Sequence, residues 1–263
     1  MQYNLLLKSR MKRKLILIAN EGDEGDYLPG VSIDMKNYHD FFIRPEGGAW
    51  NEDKEIHSLI DTSSATFLHD YIMMEIEFQK IEYFMIVFCG HGYVNANNDT
   101  VLCMKDGSEV TVSQLKTWVR YTPCTLIADC CRVKDIIDPA QLIEESLFSD
   151  TRVQLDGEAC KLAYNRCLGL LPSGTFYEAY STSIGETAGD TDTVGGVYSY
   201  NLLKLAGEEK QLLMAGRLQN GDNVASLAQV HDEACPEVVK MRTGRQHPCR
   251  SEYTDRVPFV VIA

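Results

Sequence analysis

Two short stretches of this sequence join an apolar, buried-type run to residues that can move protons or attack carbon. Phe88-Cys89-Gly90-His91-Gly92 sets an imidazole between two glycines at the end of the run Glu82–Cys89. Ile127-Ala128-Asp129-Cys130-Cys131-Arg132 sets two thiols just past the run Pro123–Ala128. A thiol at its free pKa is mostly protonated at neutral pH. A nearby imidazole favours the nucleophilic thiolate and can later hand a proton to a leaving group. Glycines beside the histidine let backbone N–H groups approach a ligand closely. A lone histidine or cysteine is commonly structural. A pair at the ends of two neighbouring strands is poorly explained by packing, because open parallel sheets carry their sites at the carboxyl ends of strands.

The elements that must position these residues can be read from apolar patterning. Lys14–Ala19 reads as a buried strand, followed by a glycine-rich acidic loop from Glu21 to Gly30 and a helix over Ser32–Phe42. Glu55–Ile60 is a second strand, and Thr62-Ser63-Ser64 can cap a helix running to about Gln79. Glu82–Cys89 is the third strand, and Val101–Met104 with Glu109–Thr111 a small hairpin. A helix follows from Ser113 to about Arg120, then a fourth strand over Pro123–Ala128 and a fifth over Tyr177–Ser181. Helices are expected from Tyr198 and over Val224–Lys240, with Val257–Ile262 as a terminal sixth strand. Strands separated by helical patterns imply an α/β fold, a mainly parallel six-stranded sheet with helices on both faces. Residues 132–174 break the rhythm, which marks a linker or an insertion.

Composition narrows the function classes. The chain has 263 residues, 44% hydrophobic and 24% charged, ordinary usage for a chain with a buried core. Five of its 25 basic residues fall in the first fourteen positions, which hold no acid, leaving 20 basic against 38 acidic in residues 15–263. So acidic a body repels phosphate backbones, which argues against nucleic acid and leaves basic peptides or cations as partners. Residues 1–13 read as a basic leader ahead of a single domain over 14–263. None of the nine cysteines forms a C-x-x-C pair, which disfavours zinc-ribbon and thioredoxin-like chemistry. With no secretory signal and no membrane-length apolar stretch, the expectation is a cytoplasmic protein with reduced thiols and no membrane contact.

The G-H-G after a buried strand, about forty residues before D-C-C on the next, resembles the caspase-type cysteine peptidases of clan CD, the metacaspases in particular. Leu28, Gly30 and Asp34 of an L-x-G-x-x-x-D segment, Tyr180-Ser181-Thr182, Gly195-Gly196 and Pro258-Phe259 extend the likeness over most of residues 14–205 and the closing strand. The resemblance implies the caspase-like fold. It implies Cys131 as nucleophile, His91 as its partner, Cys130 as a core-facing neighbour, and the N–H groups of Gly92 and Cys131 as an oxyanion hole. Arg132-Val133 departs from the His-Ser-Gly of metacaspases.

The same likeness bears on specificity. Positions where caspases hold an acidic substrate side chain with two arginines and a glutamine read here as Leu28 and, by a looser alignment, Asp190 for the arginines and Asp129 for the glutamine. Asp34 and Asp129 match the two aspartates of the metacaspase pocket, with Cys89 on its wall. Paired carboxylates suit guanidinium or ammonium, so cleavage of proteins after Arg or Lys is expected. Residues 132–174 occupy the place of the caspase intersubunit linker. They offer Lys134, Arg152, Lys161 and Arg166 for self-cleavage, while their helical pattern and Leu168, Leu170 and Leu171 favour an ordered insertion. Calcium, required by some metacaspases, has candidates in Glu21–Asp26 and Glu186–Asp192. Neither has EF-hand spacing, so solvated surface and no cofactor are the expectation. Bacterial relatives often accompany gasdermins or nucleotide-signalling systems, which makes such a protein the expected substrate or activator. Gly244–Pro248 resembles a late family loop with no evident role. The rival readings are a catalytically inactive interaction module and a thiol-redox or metal role for Cys130-Cys131.

Overall fold

The first apolar run becomes Arg13–Asn20 (β1), buried along almost its whole length in a computed structural model that describes residues 11–60, 62–133, 155–216, 223–252 and 256–263. Its side chains alternate between two cores: Leu15, Leu17 and Ala19 enter one apolar cluster, Ile16 and Ile18 the other. A strand covered on both faces needs apolar residues at every position, which is why this run reads as continuous rather than alternating.

The chain then forms helix Gly30–Ile43 (α1), strand Ile56–Ile60 (β2) and helix Ala65–Met74 (α2). The Ser64 hydroxyl caps α2 by accepting from Phe67 N–H. The helical path does reach Gln79, but its last turn, Glu75–Gln79, is a π-helix closed by Lys80 at φ 60°. Strand Tyr83–Gly90 (β3) follows, then a three-stranded antiparallel sheet of Gly92–Val94 (β4), Thr100–Cys103 (β5) and Glu109–Thr111 (β6). Helix Val112–Val119 (α3) leads into strand Cys124–Asp129 (β7). After helix Gly157–Leu168 (α4) come strand Phe176–Tyr180 (β8), helix Val197–Met214 (α5), strand Val224–Ser226 (β9), helix Leu227–Met241 (α6), and strands Cys249–Arg250 (β10) and Pro258–Val261 (β11).

The six-stranded sheet runs β10-β8-β7-β3-β1-β2, parallel except for β10. The expected α/β architecture is therefore present, with one correction. Val257–Ile262 does not supply the sixth strand of this sheet. β11 pairs antiparallel with β9 in a separate two-stranded sheet, and the sixth strand is β10. The reason lies in the apolar side chains of β11: Phe259 packs on Phe41 and Phe42 of α1, at ring-centroid distances of 4.9 and 6.0 Å, within the helical layer. Val224–Ser226, read as the start of the last helix, is the strand that β11 needs as partner.

Register aligns the strand ends. Asn20 lies beside Gly90, and Cys89 beside Asp129. From β1 the chain goes to β2 on one side and to β3 on the other, so the connection reverses between β1 and β3. Ligands of open α/β sheets bind at such a reversal.

Helix α4 of the 132–174 segment packs into the core through Cys160, Tyr164 and Leu168, whereas Leu170, expected among the buried residues, is 60% exposed because it lies beyond the helix in the turn that leads to β8. Tyr164 of α4 is buried against Trp50, 5.9 Å between ring centroids, and lies 5.3 Å from the Arg13 guanidinium. Lys161 on the same helix donates to the partly buried Glu55 carboxylate at 2.7 Å. Lys134 and Arg152 lie outside the described residues. Deleting the Tyr164 ring leaves a cavity between α4 and β1. Tyr164→Ala is expected to cost about 3–5 kcal/mol in urea unfolding, whereas an excisable linker would show a loss near zero.

Candidate active site

The loops that follow β1, β3 and β7 surround a cavity of about 1080 Å³. Every residue singled out from sequence lines it: Asp34, Cys89, His91, Gly92, Asp129, Cys131 and Asp190.

His91 projects from the end of β3 and is held by the loop after β1. Its Nε2 lies 2.7 Å from the Asp26 carbonyl oxygen and 3.7 Å from the Asp26 carboxylate. A carbonyl can only accept, so Nε2 carries a proton and Nδ1 is the nitrogen left to serve a neighbour. Gly22 makes this approach feasible: it sits at φ 75°, and a Cβ there would lie 2.6 Å from His91 Nε2. Asp26 was not legible as a partner because its contact is made by backbone, which any residue type would supply. Gly92 pairs with Leu102, and the flanking ladder bond runs from Cys103 N–H to His91 O. Gly92 therefore occupies a non-hydrogen-bonded position, and its N–H points away from β5.

Cys131 sits just beyond β7, partly exposed, while Cys130 is buried in the opposite core cluster. Burial pushes the Cys131 thiol upward, and Asp129 and Asp190 add to that; the Ala188 backbone and the Arg242 charge pull it down. His91 and Cys131 face the same cavity and share no hydrogen bond in this geometry, a looseness common in unliganded sites. Arg132, the departure from the metacaspase pattern, turns into the protein. Its Nε donates to Thr100 Oγ1 and its Nη1 to Thr182 O, both at 3.0 Å, and its guanidinium lies 3.9 Å over the Tyr180 ring. The chain is thus pinned one residue beyond the thiol.

The cavity floor carries three carboxylates, each tied to a helix start. Asp34 accepts from Gly196 N–H, the N-cap of α5, with both oxygens at 2.9–3.0 Å. Asp129 accepts from Ser199 N–H at 3.1 Å and from its hydroxyl at 2.7 Å, within the first turn of α5. Asp190 accepts from Gly30 N–H at 3.0 Å, the first residue of α1. Helix N-termini offer unpaired N–H groups and a positive dipole end, which favour anions. Gly196 has no room for a side chain, since a Cβ would stand 2.5 Å from Asp129 and 2.8 Å from Asp34. Ser199 is the holding residue that sequence reading missed; its place three residues after a helix-starting glycine was the available signal.

These bonds do not fully offset desolvation. Burial drives the Asp34 carboxyl well above its ordinary range, with Asp129 and Asp190 adding to the rise and Gly196 opposing it. Burial likewise raises Asp129 against the pull of Ser199 and Ser181. Asp190 is pushed up to about 6, by burial first and by Asp129 as well, against the Gly30 N–H. Cys89, 4.0 Å from Ser199 Oγ, is driven well up by burial and by Asp34 and Asp129, so it stays a neutral thiol on the wall. Among the described residues no group of three or more His, Cys, Asp or Glu side chains is arranged to hold a metal ion, so the acidic clusters at 21–26 and 186–192 gain no support as calcium sites.

A carboxyl whose pKa is higher folded than unfolded binds its proton more tightly when folded. Its stabilising contribution is complete below the unfolded pKa, near 4, and is lost as pH rises through about 6 for Asp190. The Asp190 contribution to stability is therefore expected to fall between pH 4 and pH 7. Asp190→Asn keeps an acceptor for Gly30 N–H and should shrink that fall by on the order of 1–2 kcal/mol. Urea unfolding of both proteins at pH 4.5 and 7.5 checks this, and an unchanged slope would refute the assignment.

No helix among the described residues is long and apolar enough to cross a membrane. No curated protein shows significant similarity to the chain. A family model does: the caspase domain, peptidase family C14, matches residues 13–260, all but a few residues at either end. With the sheet, the strand-end histidine and cysteine and that match agreeing, the chain belongs to the caspase-domain family.

Proposed function

We propose that this protein is a cysteine endopeptidase that cuts proteins after arginine or lysine, with Cys131 as nucleophile and His91 as its proton partner. The observation that carries the specificity is the cavity floor: Asp34, Asp129 and Asp190 share one desolvated surface beside the thiol. A guanidinium seated there supplies the positive charge that floor lacks, and its planar fork suits bidentate pairing with carboxylates.

The chemistry follows from the positions of the groups. With Nε2–H engaged by the Asp26 carbonyl, His91 Nδ1 takes the Cys131 proton. The thiolate sulfur attacks the scissile carbonyl carbon, and the C=O π electrons move onto oxygen. The N–H groups of Gly92 and Cys131 stabilise that oxyanion, and loss of one such donor costs about 10²–10³ in rate. The protonated His91 then delivers its proton to the departing amine as the C–N bond breaks. Water, deprotonated by the same imidazole, hydrolyses the thioester and restores the thiol. The raised thiol pKa makes this transfer matter: without a base, Cys131 stays protonated in its buried setting.

Self-cleavage within 132–174, if it occurs, is expected before residue 155. Lys161 and Arg166 lie inside α4, which must unwind before a protease can bind its backbone as an extended strand.

A peptide panel varying the residue before the cut bond tests the reading. Arg and Lys peptides should be hydrolysed, with Asp peptides at background, and a preference for Asp overturns the specificity. Cys131→Ala and His91→Ala should each lose at least about 10³ in kcat/KM with folding retained. Asp129→Asn should lose about 10–100-fold on Arg peptides, mostly through KM. Retained hydrolysis in Cys131→Ala refutes the nucleophile. A folded wild type inert to every peptide favours the inactive interaction module. Intact masses of wild type and Cys131→Ala report self-cleavage.

A further inference from the structure

The loop between β8 and α5 touches the site at several points. Arg132 N–H donates to Glu186 O at 2.9 Å and Gly185 N–H to Arg132 O at 2.7 Å, a two-way backbone clasp one residue past the thiol. Ala188, Gly189 and Asp190 line the cavity beside Cys131, and the Ala188 backbone pulls the thiol pKa down. At its start, the Ser181 hydroxyl accepts from Cys130 N–H and donates to Cys130 O, both at 3.2 Å. Displacing this loop would move the nucleophile, the Ala188 backbone and one floor carboxylate together.

The segment just beyond α6 holds that loop in place. Gln246 is fully buried, and its carboxamide spans the loop's two ends: Oε1 accepts from Gly189 N–H at 2.9 Å, and Nε2 donates to Ser181 O at 3.0 Å. His247 adds outer contacts, with its N–H donating to Glu186 at 2.6 Å and its carbonyl accepting from Ser183 Oγ at 2.9 Å. Behind the loop lies Arg242, nearly buried, whose Nε finds no hydrogen-bond partner among the described residues. A Cβ on Gly189 would stand 2.8 Å from the Arg242 Cδ and Nε, so the loop backbone rests directly on this side chain.

We propose that Gln246 is a positioning residue for the reaction, clamping residues 181–189 so that Ala188 and Asp190 keep their places beside Cys131 on the cavity wall. Only a neutral carboxamide meets the requirement. The clamp needs one acceptor and one donor on a single buried group, and a carboxylate there would add a fourth negative charge to a crowded, desolvated region. Arg242, set behind Gly189, is a buried positive charge that favours the thiolate at Cys131. The proposal rests on Cys131 being the nucleophile, and its test is chosen to be readable without peptidase activity.

Alkylation of the protein by iodoacetamide, followed site by site by peptide mass mapping, reports thiolate availability. Cys103 is the internal control: it lines the same cavity from β5, with no bond to the clamped loop, and its thiol is pushed up to about 11. In Gln246→Leu, alkylation of Cys131 at pH 7 should fall about tenfold, the scale of one lost hydrogen bond to a charged group. Its titration should move to higher pH, and Cys103 should keep its wild-type rate. Gln246→Glu preserves size and the acceptor for Gly189 N–H but loses the donor to Ser181 O and adds a negative charge; it should fall at least as far and serves if the leucine variant does not fold. A fall of less than about threefold in the folded variants, a rise, or a parallel change at Cys103 overturns the clamp and leaves Gln246 a packing residue. Should wild type hydrolyse no peptide while the Cys131-specific fall persists, the peptidase reading fails and the clamp stands. Hydrolysis by wild type with no Cys131-specific fall refutes the clamp and leaves the peptidase reading standing.

Discussion

Three carboxylates share a desolvated surface, and each is tied to the start of a helix rather than to a cation. Asp34 and Asp129 bind the first turn of α5, and Asp190 binds the start of α1. Isolated buried carboxylates usually recover a neutral state or find a positive partner. Here helix N-termini supply part of the compensation, and the remainder appears as raised pKa values. The arrangement fixes α1, α5 and the ends of β7 and β8 relative to one another. It also explains why Gly196, wedged between two carboxylates, tolerates no side chain. A charge that completes this surface must come from outside the residues that build it.

His91 and Cys131 depend on the same geometry by different routes. His91 and Cys131 reach the cavity because β3 and β7 are adjacent and in register. Their orientation comes from elsewhere: the loop after β1 engages the imidazole, and the loop after β8 engages the thiol. Strand pairing sets the separation to within a residue, while the loops set the protonation chemistry.

Much of this was legible in the sequence, for reasons that differ by element. β1, β3 and β7 stood out because double-sided burial demands uninterrupted apolar runs, and their carboxyl ends pointed to His91, Asp129 and Cys131. Asp34 was legible through a pattern whose spacing places it one turn into α1. β11 was misassigned because a short apolar run says nothing about which partner it pairs with; its neighbour β9 is three residues long and shades into α6. The π turn at Glu75–Gln79 keeps the apolar spacing of an α-helix for too few residues to reveal itself. Asp26 was not identifiable as a partner because it meets the His91 ring, 65 residues away, through its own carbonyl, and Gln246 because its contacts run to backbone atoms 57 and 65 residues away. Backbone leaves no signature in residue type.

The margins of the main sheet bear on how copies of this molecule meet. At one end lies β10, two residues long and antiparallel to its neighbour. An unpaired strand edge is a template for another chain to extend, and two residues offer scarcely a rung on which to build. At the other end of the described sheet β2 presents five residues, and the turn leading into it carries Glu52 and Asp53 beside Lys54, with Glu55 already paired to Lys161. Two copies approaching along either margin also bring net negative bodies together, with the formal charge of the chain at −13. Sheet-to-sheet growth is disfavoured at one edge by geometry and at the other by like charge, a form of protection against fibrous self-association in a protein whose central strands are almost wholly apolar.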